Sequence, residues 1–250
     1  MQLDDYAIDV LVQGFPGKSV CHGTLGWSTI ALLRGHGRNA LVDVGAFGMR
    51  KTLLARLAER GLGPGDITDV VLTHCHYDHA VNWVTFPNAR VFIGGAELDW
   101  AVTVPFGQTI VPELYVRELV ASERLVRVAP GEEVLPRLAA HATPGHTPGH
   151  LVYVLEGAGH DVIFTGDAAK NRAELLECRA DATMDAGASA ASIAAIMELW
   201  RRRPGSVLIP GHDVPMVLRD GRPAYVDERR AAIVAWYDES LDQTRVFELT

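Results

Sequence analysis

Cysteine is scarce in this 250-residue chain, with three in all at positions Cys21, Cys75 and Cys178. They form no spaced pair, so the sequence predicts no disulfide framework. Cys75 lies between two histidines and faces away from them if the segment is extended, so we expect it to pack as a small apolar side chain. A disulfide-linked scaffold is therefore not expected.

Long apolar runs are lacking as well. No stretch of the chain reaches the roughly 18–20 consecutive apolar residues that a membrane span requires. The segment from Met1 to Val20 carries Asp4, Asp5 and Asp9, whereas a secretory signal peptide would be basic and then apolar. We therefore expect a cytoplasmic protein without a membrane partner.

Basic residues are in the minority. The chain has 23 Lys and Arg against 31 Asp and Glu, which gives a formal net charge of −8. Because phosphate backbones are bound by basic surfaces, this charge argues against long nucleic acids as partners. Hydrophobic residues make up 48% of the chain, enough to bury a large core, and no linker divides it. We expect a single domain over residues 1–250.

Strand-like and helix-like segments alternate along the sequence. Helices are predicted at Lys51 to Arg60, at Ser189 to Arg203 with an apolar stripe on one face, and near Glu228 to Tyr237. Strands are predicted at Tyr6 to Val12, Ser28 to Arg34, Asn39 to Val44, Thr68 to Thr73, Ala89 to Ile93, Arg124 to Val128, Val134 to Ala142, Leu151 to Leu155, Val162 to Thr165 and Val207 to Pro210.

What the chain has in abundance is one short cluster of metal-capable side chains. His74, His76, Asp78 and His79 follow directly on the apolar run Val70-Val71-Leu72. Imidazole nitrogens and carboxylate oxygens are ligands that zinc and other first-row divalent metals accept. If the strand continues, His74 and His76 share a face and reach one ion, while Asp78 and His79 follow at a turn and are free to bind a second. The segment predicts a metal site.

Two metals need about seven or eight protein ligands, so others must come from distant segments. Three candidates, His146, Asp167 and His212, each follow an apolar run and lie beside a glycine. The glycines permit the turn and leave room next to a ligand. All the candidate ligands would then lie at strand ends along one edge of a sheet.

In these motifs the chain resembles the metallo-β-lactamase fold superfamily of metal-dependent hydrolases. The H-x-H-x-D-H motif matches at His74 to His79, and His146, Asp167 and His212 follow in the family's order. Asp43 matches an early strand-end aspartate that supports the site from behind. The resemblance covers roughly residues 25 to 215. It implies an α/β fold, a four-layer αββα sandwich with the metal site at one edge between the sheets.

The resemblance also implies a set of roles. Two divalent metals would be bound, with zinc expected and manganese or iron also compatible with the ligands. A hydroxide held between the metals would attack the substrate, and Asp78 would orient it and carry a proton to the leaving group. By the same resemblance, the first metal is held by His74, His76 and His146, the second by Asp78, His79 and His212, and Asp167 bridges them.

Differences between this chain and individual relatives narrow the class of substrate that we expect. The zinc β-lactamases usually differ at the bridging position, and glyoxalase II adds a helical C-terminal domain that 38 residues after His212 cannot form. Acyl-homoserine lactonases are similar in length and ligands but carry a tyrosine three residues after the bridging aspartate, where this chain has Lys170. Lys170 is either a substrate-binding residue or a solvated surface lysine. The expected substrate is a small lactone, ester or thioester.

Two other reactions are also compatible with this motif and fold. Persulfide dioxygenases resemble this chain in the same motif but bind a single iron through two histidines and an aspartate. A phosphodiesterase acting on a small nucleotide is the other alternative. Metal content and oxygen uptake distinguish the dioxygenase from the hydrolase.

The sequence also supports expectations for residues 100–115 and for His150. The apolar side chains of residues 100–115 form a lid or pocket wall, or they pack a helix on the sheet. His150 follows His146 by four residues, but Pro148 and Gly149 exclude a helix between them. We therefore expect His150 to support the site or to begin a strand, not to bind metal.

Overall fold

The computed structural model describes residues 1–21, 23, 25–237 and 239–249. Two seven-stranded sheets make up its centre. The first sheet has its strands in chain order, antiparallel from β1 to β4 and parallel from β4 to β7. Its strands are β1 (Gln2–Leu3), β2 (Tyr6–Val12), β3 (Ile30–Gly35), β4 (Arg38–Val42), β5 (Asp69–Val71), β6 (Arg90–Gly94) and β7 (Leu125–Val128).

The second sheet has the order β14-β13-β12-β11-β10-β9-β8. All of its neighbours are antiparallel except β11 and β12, which run parallel and are joined by a crossover. Its strands are β8 (Glu133–Leu135), β9 (Leu138–Ala142), β10 (Leu151–Leu155), β11 (Val162–Gly166), β12 (Val207–Pro210), β13 (Met216–Arg219) and β14 (Arg222–Tyr225).

Helices cover the outer face of each sheet. The helices that connect strands of the first sheet or follow them in the chain are α1 (Arg50–Ala58), the short α2 (Tyr77–Ala80), α3 (Gly95–Ala101) and α4 (Glu113–Ala121). Those that connect strands of the second sheet are α5 (Arg172–Glu177) and α6 (Ala186–Arg201). Among the described residues, no helix is both long enough and apolar enough to cross a bilayer.

Three buried clusters explain why these layers stack. Between the sheets, Ile8, Leu33 and Phe92 pack with Tyr153 and Phe164 of the opposite sheet. A second cluster joins the first sheet to α1, α3 and α4, and a third joins the second sheet to α5 and α6. Each sheet therefore buries both faces, which gives the expected four-layer αββα sandwich.

The long helix α6 was predicted from its apolar stripe, and the structure confirms it. Asp185 caps its first turn by accepting a hydrogen bond from the backbone N–H of Ala188 at 2.9 Å. The helix ends just before Pro204, which cannot continue it. The four stripe residues are all buried against the second sheet: Ile193, Ile196, Met197 and Trp200.

The predicted last helix, near Glu228 to Tyr237, is wrong. This segment contains β15 (Ala232–Ala235), which forms an antiparallel hairpin with β16 (Arg245–Glu248). Residues Ile233 and Val234 are β-branched and favour an extended chain once a partner strand is present. That partner lies ten residues further along the chain, so the local pattern did not reveal it.

Two smaller predictions also changed. The predicted strand Val134 to Ala142 is two strands, β8 and β9, because Arg137 takes a left-handed conformation with φ of 63° and turns the chain between them. The segment 100–115 is split: α3 ends at Ala101, α4 begins at Glu113, and a loop joins them. Val104 and Val111 of that loop are buried, whereas Phe106 and Ile110 are more than half exposed.

The third cluster yields a stability prediction. Replacing Ile196, which is fully buried, with alanine should lower the free energy of unfolding by about 2–5 kcal/mol, because a cavity replaces packed methyl groups. Leu114→Ala is the matched control, since Leu114 also lies on a helix but is 69% exposed, and it should change stability by less than about 0.5 kcal/mol. Urea unfolding followed by circular dichroism measures both. Equal losses would contradict the packing described for α6.

Candidate metal centre

The candidate ligands all follow strands that end at one edge of the sandwich. The loop from His74 to His79 follows β5, and His146 lies between β9 and β10. Asp167 follows β11, and His212 follows β12. The parallel pairing of β11 with β12 carries the last two ligands to the same edge. The structure thereby brings all seven predicted residues together.

Three histidines form the first group of ligands. The ligand atoms of His74, His76 and His146 all lie within 4.8 Å of one another, and all three side chains are buried. His76 Nδ1 and His146 Nε2 are 2.9 Å apart. His74 and His76 come from the first sheet and His146 from the second, so this group spans the two sheets.

A second group lies beside the first. Asp78, His79 and His212 also have their ligand atoms within 4.8 Å of one another. His212 Nε2 lies 3.3 Å from Asp78 Oδ2 and 3.3 Å from His79 Nε2. This group is also drawn from both halves of the chain.

Asp167 lies between the two groups. Its Oδ2 is 3.3 Å from His146 Nε2 in the first group. Its Oδ1 is 3.1 Å from His79 Nε2 and 3.2 Å from His212 Nε2 in the second. The carboxylate therefore faces one group with each oxygen. Gly211 makes room for it, since a Cβ at that position would lie 2.5 Å from Asp167 Oδ1.

Hydrogen bonds from the far ring nitrogens orient the histidines. His79 Nδ1 donates to Asp43 Oδ2 at 2.8 Å, and His146 Nδ1 donates to the carbonyl oxygen of Ala182 at 3.1 Å. Thr73 Oγ1 donates to Asp43 at 2.9 Å, so it accepts from His74 Nδ1, which is 3.0 Å away. In each case Nε2 is the nitrogen that faces the ligand group, and it can bind a metal once it carries no proton.

Burial sets the protonation of the first group. Loss of solvation and neighbouring histidines lower the pKa of His76 to about 3. Burial likewise lowers the pKa of His146 to about 4, and it lowers that of His74 well below its ordinary value. These rings are neutral near pH 7 and carry available lone pairs. His74 Nε2 is buried and has no hydrogen-bond partner in the described part of the chain.

The second group has the opposite electrostatics. Burial alone would lower the pKa of His212, but the carboxylates of Asp167 and Asp78 outweigh it and raise that pKa to about 9. The same balance raises the pKa of His79 above its ordinary value. In the bare protein these carboxylates are compensated by protons on the histidines. A divalent cation would supply the same positive charge, so the residues present fit a bound metal.

Two supporting residues behave as predicted. Asp43 accepts from His79 and from the backbone N–H of Thr73 at 2.9 Å, directly behind the ligands. His150 does not join a ligand group; its Nε2 accepts from the backbone N–H of Asp167 at 3.1 Å. Cys75 is buried in the core, away from the histidines on either side of it.

Sequence reasoning missed three buried carboxylates around the site. Glu97 accepts from the backbone of Cys75, Glu174 from the backbone of Lys170, and Asp213 from the backbone of Arg172. Glu97 follows the apolar end of β6 and a pair of glycines, which is the signal that identified the ligand segments. Asp213 follows the same glycine-marked end of β12 as His212 and is also held by Arg229 and the hydroxyl of Tyr225. Glu174 has no comparable signal.

A cavity of about 450 Å³ opens in front of the second group. Asp78 and His212 form part of its wall, and apolar surface comes from Pro16, Tyr77 and Ile110. A larger groove of about 780 Å³ lies between the N-terminal strands and residues 226–230. None of the ligand groups found among the described residues lies there.

Lys170 also lines this cavity. Its side chain is only 13% exposed, and its Nζ lies 2.9 Å from Glu174 Oε1. It is therefore not a freely solvated surface lysine. Lys18, which also lines the cavity, is largely exposed and pairs with Asp181.

Fold and site together define an αββα sandwich with a candidate metal centre at one edge. The chain belongs to the metallo-beta-lactamase superfamily, whose family model matches residues 23–212.

Similar proteins fall in the same superfamily. The chain is 32% identical over 186 residues to human metallo-beta-lactamase domain-containing protein 1, covering 72% of this chain and 60% of that protein. It is 27% identical over 165 residues to an N-acyl homoserine lactonase of Bacillus cereus, covering 65% and 61% respectively. The chain thus spans about 60% of the length of these relatives.

A solved structure agrees with the fold. AidC, described as a dizinc quorum-quenching lactonase in complex with a product, N-hexnoyl-L-homoserine, superposes with a TM-score of 0.66 at 19% sequence identity. The match covers 91% of this chain and 92% of AidC. At this identity the likeness establishes the fold alone.

The position of Asp167 leads to a direct test. Asp167→Ala should reduce the metal content of the purified protein and weaken binding in both groups, because one carboxylate faces both. Metal per chain is measured by elemental analysis. Asp99→Ala is the control, since Asp99 is exposed, pairs with Arg127 and belongs to none of the ligand groups found in the described residues. Unchanged metal content in Asp167→Ala would contradict the arrangement described here.

Proposed function

We propose that this protein is a binuclear metal-dependent hydrolase that cleaves a small lactone, ester or thioester. The observation that carries the proposal is the carboxylate of Asp167, which faces a buried ligand group with each of its oxygens. A single metal would need only one of these groups. The single domain over residues 1–250 is part of the proposal, because both sheets contribute ligands.

Each group of ligands would hold one ion. His74, His76 and His146 would bind the first, Asp78, His79 and His212 the second, and Asp167 would contact both. Two bound divalent ions would lower the pKa of a water to near neutrality and take up the negative charge that develops on an attacked carbonyl oxygen. Zinc is the metal we propose, since neutral imidazoles and carboxylates are its ordinary ligands.

Asp78 is the residue that we propose moves protons. It belongs to the second group and also lines the cavity, so its carboxylate could contact both a bound ion and a substrate in the cavity. Burial would raise the pKa of Asp78, but His79 and His212 outweigh it and keep the pKa below its ordinary value. An ionised Asp78 would accept a proton from the attacking water, hold it, and release it to the leaving alkoxide or thiolate.

Lys170 is the residue that we propose contacts the substrate. It lies three residues after Asp167 and lines the same cavity as Asp78. Because Glu174 lies 2.9 Å from its ammonium group, the pair carries no net charge. The ammonium hydrogens can still be donated to a carbonyl oxygen. This pairing supports an uncharged acyl substrate over a free carboxylate or phosphate.

The cavity supports the same choice of substrate. Its walls combine Tyr77, Ile110 and Pro16 with the polar groups near the ligands, which suits an apolar acyl group next to a polar carbonyl. Two of the similar proteins are described as lactonases acting on N-acyl homoserine compounds. These likenesses support a lactone as the first substrate to test.

A substrate screen tests the proposal. The zinc-loaded protein should hydrolyse at least one uncharged lactone, ester or thioester, lose that activity on treatment with a chelator, and regain it when zinc is added back. Acylated lactones of increasing chain length, p-nitrophenyl esters and acyl thioesters form the panel. Oxygen uptake on a persulfide would favour the dioxygenase alternative instead. Cleavage restricted to phosphodiesters of small nucleotides would favour the phosphodiesterase.

Lys170 gives a second, narrower prediction. Lys170→Gln should lower kcat/KM by about 10- to 100-fold, because a donor to the substrate carbonyl is lost, while metal content stays unchanged. Steady-state kinetics with the best substrate of the panel measures the effect. Lys51→Gln is the control, since Lys51 is exposed on α1 and remote in sequence from every ligand. A loss of metal in Lys170→Gln would assign the residue to the metal centre and not to the substrate.

A further inference from the structure

Glu97 is a fully buried carboxylate for which the metal chemistry proposed above has no use. It lies in the first turn of α3 with 0% of its surface exposed. Within the described part of the chain it forms no ion pair, unlike the buried Asp69, which is held by Arg38 and Arg90. A buried carboxylate without a cation is costly, so some specific contact must stabilise it.

Two backbone N–H groups from different halves of the chain donate hydrogen bonds to Glu97. Its Oε1 accepts from the N–H of Cys75 at 2.9 Å, and its Oε2 accepts from the N–H of Gly149 at 3.1 Å. Cys75 lies between the ligands His74 and His76. Gly149 lies in the loop that follows the ligand His146.

The loop that contains Gly149 also packs directly against the backbone of Glu97. A Cβ on Gly149 would lie 2.0 Å from the backbone nitrogen of Glu97, and a Cβ on Gly94 would lie 2.8 Å from the carbonyl oxygen of Gly149. The second loop therefore rests directly on the end of β6 and the start of α3. A displacement of Glu97 would be transmitted to both loops.

We propose that Glu97 is a positioning residue for the first metal-binding group, because a single carboxylate holds the loop of His74 and His76 against the loop of His146. The inference rests on the proposed metal centre. Glu97 touches neither metal nor substrate in this account. It fixes the distance between ligands that belong to opposite sheets, next to the backbone hydrogen bond from the N–H of Leu151 to the carbonyl oxygen of Thr73 at 3.0 Å.

The two backbone donors favour a carboxylate over an amide at this position, although burial opposes its charge. Loss of solvation raises the pKa of Glu97 to about 7, although the N–H group of Cys75, the hydroxyl of Thr147 and the N–H group of Gly149 work in the other direction. Only a carboxylate offers an acceptor to each of the two donors. In Glu97→Gln, the amide NH₂ would face one of the two backbone N–H groups, and that loop would move away.

Zinc binding to the metal-free protein tests the proposal. The wild-type protein, stripped with a chelator and titrated against a competing zinc indicator, should bind two ions. Glu97→Gln should bind one ion with wild-type affinity and the other about 10- to 100-fold more weakly. Glu97→Asp keeps the charge but is one methylene shorter, so its loss should be smaller; it also serves if Glu97→Gln does not fold.

A second titration identifies the affected ion. In a His212→Ala background, which weakens the second group, Glu97→Gln should still reduce the affinity of the remaining ion. In a His76→Ala background, which weakens the first group, Glu97→Gln should change little. The reverse pattern would overturn the proposal, because it would assign the effect of Glu97 to the second group.

Asp69→Asn is the control for a purely structural role. Asp69 is also fully buried, but it lies at the opposite end of β5 from the ligand loop and pairs with arginines. Asp69→Asn should lower the free energy of unfolding and leave both zinc affinities unchanged. If Glu97→Gln lowers stability in the same way with both affinities unchanged, Glu97 is structural and the proposal is wrong.

The wild-type titration separates this proposal from the proposed function. A wild-type protein that binds one ion would overturn the binuclear hydrolase. The Glu97 proposal would still predict a weaker affinity for that ion if it is held by His74, His76 and His146. Two ions in the wild type with identical affinities in Glu97→Gln would keep the hydrolase and overturn only the role of Glu97.

Discussion

The contact on which the site depends is the carboxylate of Asp167 between two groups of histidines. Its oxygens lie 3.1 to 3.3 Å from His79, His146 and His212, which come from three separate loops. The sandwich makes this contact possible because β5, β11 and β12 end at the same edge. Close packing at Gly211 fixes the carboxylate from behind. The fold therefore brings the ends of these strands together around one charged group.

Electrostatics then divide the site into two unlike halves. The first group is neutral because burial lowers the pKa of His76 and His146. The second group retains carboxylates whose charge raises the pKa of His212 to about 9. One of these carboxylates, that of Asp78, lines the cavity. In the proposed hydrolase, the second group would bind an ion and take part in proton transfer, while the first group would mainly bind an ion.

Much of the site could be predicted because its signals are local. His74 to His79 form one motif, and the remaining ligands each follow an apolar run that ends in a turn. The roles of Glu97 and Asp213 could not be predicted, because only the packed sandwich brings their partners near. These are backbone N–H groups and, for Asp213, also Arg229 and Tyr225. The last predicted helix failed for a related reason. The pairing of β15 with β16 is a contact between distant residues, and a pattern read over one turn does not contain it.

The metal content of the wild-type protein tests the central claim most directly. Metal per chain would be measured in protein purified without added metal and again after reconstitution with zinc, alongside the substrate panel. The account predicts two equivalents per chain together with hydrolysis of a lactone, ester or thioester. One equivalent of iron, with oxygen consumed on a persulfide and no hydrolysis, would contradict it.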